Sequence, residues 1–227
     1  MYENLRASEL WQCVIFDLDG TLIDTSPGIF ESIVYSTEKL GYTRLSQSQL
    51  DSFIGPPIRD SFLRCYACDE AEANLLTAAF REQYLGGAMY NAVPYEGIIE
   101  LCRKLKESGS RIAVATNKPQ SASEKVLRHF GFGQYLSHVH CADAAGIVKK
   151  SDLIGACVND AETDLSQCVM IGDTEHDAKG AMEAGVPFLA VSYGFGSIED
   201  MMKYPHIGIA DKPADIYGIL MREREVI

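Results

Sequence analysis

The residues of this chain that could do chemistry stand at the ends of short apolar runs. Asp17-Leu18-Asp19-Gly20-Thr21 follows the run Cys13 to Phe16, Thr116-Asn117 follows Arg111 to Ala115, and Gly172-Asp173, with Asp177 further on, follows Cys168 to Ile171. Open α/β sheets bind ligands outside the carboxyl ends of their strands, so such positions are where a site is expected. Carboxylates brought together repel and raise one another's pKa, and a cation or a shared proton relieves both effects. Oxygen donors with no convergent Cys or His suit a hard divalent ion, and Mg2+ uses one or two carboxylates plus substrate phosphate. A phosphate ester is the implied partner.

Asp17 and Asp19 are two apart, a spacing that points side chains to one face of an extended chain unless the Gly20 turn bends the second away. One carboxylate can then attack phosphorus while the other handles protons. Gly20 allows the backbone to approach a phosphoryl group. The Thr116 hydroxyl and the amide of Asn117, near a helix start, can donate to phosphoryl oxygens. A lysine is the remaining expected part. Lys149 and Lys150 both precede the helix start at Ser151; adjacent residues point apart, and Lys150 is the expected phosphate ligand. Asp173 and Asp177, four apart, would share a face of a helix beginning near Asp173, which disfavours them unless a cation sits there; the other reading is that both complement a helix N-terminus.

The elements that must position these residues follow from periodicity. Short apolar runs alternate with amphipathic stretches, the pattern of β-α units around a parallel sheet. Expected strands are Cys13 to Phe16, Arg111 to Ala115, Val139 to Cys141, Cys168 to Ile171 and Phe188 to Val191, with a weaker sixth at Ile207 to Ala210. From Asp24 onward the alternation gives way to helical patterns: Pro27 to Leu40, Ser46 to Phe53, Ile58 to Tyr66 and Asp69 to Leu85. Asp69-x-x-Glu72 has the spacing of a capping box. The expected fold is α/β, a doubly wound, mostly parallel Rossmann-like sheet (1–23 and 92–227) with an inserted helical cap (24–91).

Composition narrows the partners. The 227 residues carry a net charge of −12, which disfavours a nucleic-acid surface because phosphates must be met by clustered Lys and Arg. No apolar stretch approaches the ~18 residues of a membrane span. Seven scattered Cys and an N-terminus without a basic-then-apolar pattern suggest a reducing cytoplasm. Other patterns fall short: Asp17-x-Asp19 lacks the EF-hand glycine and glutamate, having Leu22 and Gly28 there. Gly194-Phe195-Gly196 lacks the third glycine of a dinucleotide fingerprint, Cys65-x-x-Cys68 lacks a second ligand pair, and His138 and His140 lack a third ligand. Oligomeric state is not readable from the sequence.

Phe16-Asp17-Leu18-Asp19-Gly20-Thr21-Leu22-Ile23-Asp24, Ala115-Thr116-Asn117, Lys150 and Ile171-Gly172-Asp173-Thr174-Glu175-His176-Asp177 together resemble the four motifs of the haloacid dehalogenase-like hydrolases. The order matches over essentially the whole chain, although Ser151 follows Lys150 where relatives often have Pro. The resemblance implies Asp17 as nucleophile, Asp19 as general acid/base, and Mg2+ held by Asp17, the Asp19 carbonyl and Asp173, with Asp177 supporting its waters. It also implies that Thr116, Asn117 and Lys150 hold the phosphoryl group. True dehalogenases lack the second acid, so phosphate chemistry is expected. Phe53-Ile54-Gly55-Pro56-Pro57-Ile58-Arg59-Asp60-Ser61-Phe62 looks like the cap segment of the phosphoglycolate phosphatase branch, making Arg59 a candidate grip on a substrate carboxylate or second phosphate. A small phosphorylated metabolite is the expected substrate. Alternatives are a 5'-nucleotidase, a pyrophosphatase, a sugar-phosphate mutase and a phospho-accepting receiver-type switch.

Overall fold

The computed structural model describes residues 11–143 and 148–225. Contacts divide the chain into two compact units, one from the chain start to Ile23 with Pro94 onward, the other Asp24–Val93. In the first, six parallel strands form one sheet: β1 (Cys13–Phe16), β4 (Arg111–Pro119), β5 (Leu136–Ala142), β6 (Cys168–Gly172), β7 (Phe188–Val191) and β8 (Gly208–Ala210). Their order is β5-β4-β1-β6-β7-β8, and a separate two-stranded sheet pairs β2 (Ile23–Asp24) with β3 (Val93–Pro94). Every residue of β1, β6 and β7 is buried. That explains their unbroken apolar runs, because a parallel sheet is covered on both faces.

Side chains alternate across the sheet. Cys13 and Ile15 of β1 join a core with Leu153, Ile154 and Cys157 of α7 (Lys150–Asp160) and Ala178 and Ala181 of α8 (Glu175–Ala184). Val14 and Phe16, equally buried, point to the opposite face. Also in this unit, α5 (Ile98–Glu107) packs on α10 (Pro213–Glu225), and the buried Trp11 indole donates to the Leu220 carbonyl at 2.9 Å. Winding outward from β1 in both directions makes β1, β4 and β6 three adjacent strands at the switch point of the sheet, the place where such folds open a crevice.

The second unit holds α1 (Ser26–Lys39), α2 (Gln47–Asp51), α3 (Ile58–Tyr66) and α4 (Glu70–Gly86). Asp69 caps α4 through the expected reciprocal pair, its side chain accepting from Glu72 N and its own N–H donating to Glu72 Oε2, both at 2.9 Å. α2 is shorter than its pattern because Ser46 serves as N-cap and the helix ends at Ser52. α3 stops where Ala67 takes a left-handed φ of 47°. Phe53 and Phe62 meet edge to face, ring centroids 5.0 Å apart, and both are buried. No described helix is long and apolar enough to cross a membrane.

Two departures from the sequence reading bear on the site. β4 runs extended to Pro119, so Thr116 and Asn117 lie within a strand and α6 (Gln120–His129) begins only at Gln120. The helix after β6 begins at Glu175 rather than near Asp173, so Asp177 lies in its first turn. Replacing Phe62 by Ala removes a ring at the centre of the helical unit and is expected to cost about 3–5 kcal/mol of that unit's stability, read as a lower urea midpoint; an unchanged midpoint would contradict this packing.

Candidate active site

Asp17 ends β1 with its N–H donating to the Ile171 carbonyl of β6 at 2.9 Å. Its Oδ1 accepts from Lys150 Nζ at 2.6 Å. Lys150 opens α7 and also meets Asp177 Oδ1 at 2.7 Å, while Lys149 is exposed. Of the two adjacent lysines, Lys150 is therefore the one that reaches Asp17. Beyond β1 the chain turns sharply: Leu22 and Ile23 N–H groups both donate to the Leu18 carbonyl at 3.1 Å, and Gly20 N–H to Ile23 O at 2.9 Å.

Asp173 is fully buried, with Oδ1 accepting from the Thr21 hydroxyl and Oδ2 from the Phe195 N–H, each at 2.8 Å. Asp177 caps its own helix, Oδ2 accepting from Thr174 N and Oγ1 at 3.0 and 2.6 Å. Capping and site membership thus coincide in one residue. Among the described residues, one oxygen from each of Asp17, Asp173 and Asp177 lies within 4.8 Å of the other two. Three buried carboxylates with a single ammonium between them carry surplus negative charge, and all offer hard oxygen ligands. A divalent cation such as Mg2+ fits that donor set.

The charge surplus shows in the titration of the groups. Burial, reinforced by Asp177, Asp173 and Asp19 and opposed by Lys150, pushes the Asp17 carboxyl up to about 8. Burial and Asp177 push Asp173 up to about 7, against the hydrogen bonds from Phe195 and Thr21. Burial alone would lower Lys150, but Asp17 and Asp177 outweigh it and hold the ammonium above the ordinary lysine range.

Thr116 is buried, and its Oγ1 accepts from Lys118 N at 3.1 Å, which leaves the hydroxyl proton for another acceptor. Asn117 is exposed and faces away, as strand alternation requires. Lys118 shares the buried face with Thr116, and its Nζ meets Asp19 Oδ1 at 2.8 Å. Sequence reasoning missed this lysine, because a polar residue beyond an apolar run reads as solvated loop. It also missed Thr21 and the Phe195 loop. A Cβ on Gly20, whose φ is +92°, would come within 2.2 Å of Asp173 Oδ2, so this glycine makes room for a carboxylate rather than for a phosphoryl group alone. Gly194 and Gly196, dismissed above as a failed fingerprint, wrap the same aspartate: their Cβ atoms would fall 2.3 Å from Asp173 Cβ and 2.1 Å from its carbonyl.

Arg59, on α3, is engaged inside the helical unit. Its Nε donates to Asn74 Oδ1 at 2.9 Å, and its guanidinium pairs with Glu70 and, at 3.6 Å, with Asp60. His138 and His140 both face Asp160, at 3.4 and 2.9 Å. Cys65 and Cys68 are free thiols.

The family described as haloacid dehalogenase-like hydrolase matches residues 14–191. A 5'-nucleotidase from Pseudomonas aeruginosa is 34% identical over 83% of this chain and 86% of its own. A phosphoglycolate phosphatase from Agrobacterium fabrum is 28% identical over 87% of each. The solved structure of protein tyrosine kinase A from Mycobacterium tuberculosis superposes with a TM-score of 0.81 at 28% identity, covering 93% of this chain and 99% of that one.

Two measurements check the site. Both raised carboxyls bind protons more tightly folded than unfolded, so metal-free stability falls as pH rises from 3.8 toward about 8. A divalent cation competes with the proton for these oxygens, so added Mg2+ is expected to raise Tm more at pH 8 than at pH 5; an equal gain would contradict the charge surplus. Gly194→Ala should displace Asp173 and weaken Mg2+ binding by about 10–100-fold in calorimetric titration; unchanged affinity would remove Asp173 from the metal site.

Proposed function

This chain belongs to the haloacid dehalogenase-like hydrolases, and we propose that within them it is a Mg2+-dependent phosphatase of small phosphomonoesters, acting through an aspartyl-phosphate. The reading is supported above all by the convergence of Asp17, Asp173 and Asp177 on one another beyond the ends of β1 and β6, with Lys150 meeting Asp17 and Asp177. In the first half reaction an oxygen of Asp17 attacks phosphorus, the bond from phosphorus to the ester oxygen breaks, and Asp19 gives that oxygen its proton. The alcohol leaves. In the second, Asp19 takes a proton from water as the water attacks the same phosphorus, the acyl-phosphate bond breaks, and orthophosphate departs.

The chain's own groups hold the transferring phosphoryl. Lys150 supplies a fixed positive charge beside Asp17 and the Thr116 hydroxyl donates, while Asn117, whose side chain faces away, would contribute its backbone N–H alone. Mg2+ would be held by Asp17, the Asp19 carbonyl and Asp173, with Asp177 behind its waters, and when bound supplies charge stabilisation to the phosphoryl oxygens.

A phosphoglycolate-type substrate is the favoured reading, carried by the cap segment around Arg59. A nucleoside monophosphate is the second, favoured by the 34% identity to a 5'-nucleotidase and by the engagement of Arg59 with Glu70 and Asn74. Phosphate release from a panel of phosphorylated metabolites, run with Mg2+ and with EDTA, decides between them. Asp17→Asn is expected to keep the fold and lose turnover altogether; steady-state release by that variant would sink the nucleophile assignment.

A further inference from the structure

We propose that Lys118 is a positioning residue for Asp19, holding its carboxylate where it serves the ester oxygen; the inference rests on the phosphatase reading above. Asp19 stands in a turn, three residues past the end of β1 and two past Asp17. Its backbone is set by the turn, but its side chain is 20% exposed and free torsions remain between backbone and carboxylate. Asp17, Asp173 and Asp177 are each braced by a donor from a distant segment: Lys150 for Asp17 and Asp177, and Thr21 with Phe195 for Asp173. Lys118 does this for Asp19 from 99 positions away along the chain.

The chain is built to deliver that ammonium. The apolar part of β4 ends at Ala115, yet the strand continues to Pro119, with a register irregularity against β5 between Thr116 and Pro119. Irregularities of this kind beside active sites re-aim side chains. Here Thr116 and Lys118 face the interior together while Asn117 faces out. The Ser123 hydroxyl, in the first turn of α6, lies 3.3 Å from the Lys118 carbonyl and 3.1 Å from the Pro119 carbonyl, fastening the extension. Lys118 is itself only 8% exposed. A buried ion pair is poor value for stability alone, since an apolar residue of similar volume commonly does as well. A role in orienting Asp19 gives the buried pair a reason beyond stability.

A residue that acts through Asp19 must matter where Asp19 matters. Protonation of the leaving oxygen is needed for an alkyl phosphate and far less for an aryl phosphate, and kcat/KM reports that half reaction. The test compares the alkyl phosphate hydrolysed fastest in the panel with p-nitrophenyl phosphate. Lys118→Met is expected to lower kcat/KM about tenfold or more on the alkyl ester and less than about threefold on the aryl ester, with Lys118→Arg recovering most of the loss. In an Asp19→Asn background, Lys118→Met should add less than about threefold, since groups acting as a unit are not additive. Activity on the aryl ester shows that the variant is folded. Equal loss on both esters, no loss on either, or a full further loss in the Asp19→Asn background would overturn the inference alone. Wild-type protein that releases phosphate from neither ester would overturn the phosphatase reading and the inference with it.

Discussion

Everything at the carboxyl edge of this sheet answers to electrostatic crowding. Asp17, Asp173 and Asp177 are withdrawn from water and placed within a few ångströms of one another, an arrangement that costs free energy unless positive charge is supplied. Lys150 supplies part of it by contacting two of the three. The remainder is what makes the place a candidate site: on the function proposed above, a divalent ion supplies the missing positive charge, and the ion with Lys150 then attracts a dianionic phosphoryl group.

The fold meets this requirement through topology. Because β4 and β6 flank β1, three strand ends deliver polar residues to one crevice, and each delivers a different part: Asp17 and Asp19 from β1, the Thr116 hydroxyl and Lys118 from β4, Asp173 and Asp177 from β6. Close approach is then secured by missing side chains. Gly20, Gly194 and Gly196 let two loops press against Asp173, so that a carboxylate with no exposure is held by a side-chain hydroxyl on one oxygen and a backbone N–H on the other. The hydrolase scaffold and the charge problem are therefore solved by the same residues.

Much of this was legible in the sequence, for a reason particular to each part. β1, β6 and β7 are uniform apolar runs because they are covered on both faces. The Asp69–Glu72 cap was readable because capping is local. Alternation says that only one of Lys149 and Lys150 can reach the site, and the structure turns Lys150 inward. What escaped reading depended on contacts between distant segments. Lys118 lies beyond the apolar part of β4, and its partner Asp19 is 99 residues away. The Gly194-Phe195-Gly196 loop acquires meaning only once Asp173 is seen to sit against it. The contacts of Arg59, the expected grip on substrate, with Glu70 and Asn74 from the next helix of its own unit likewise follow from no local pattern. β5 extends three residues further toward its start than its apolar centre suggested, because it is a half-exposed edge strand with polar residues interspersed.

The most direct test of the account is to find where the phosphoryl group goes. Protein mixed with Mg2+ and the best substrate, quenched in acid within the first turnover and digested, should carry the phosphate on the peptide containing Asp17, and on no other. Label on a different residue, or hydrolysis to completion with no phosphorylated protein at any quench time, would contradict it.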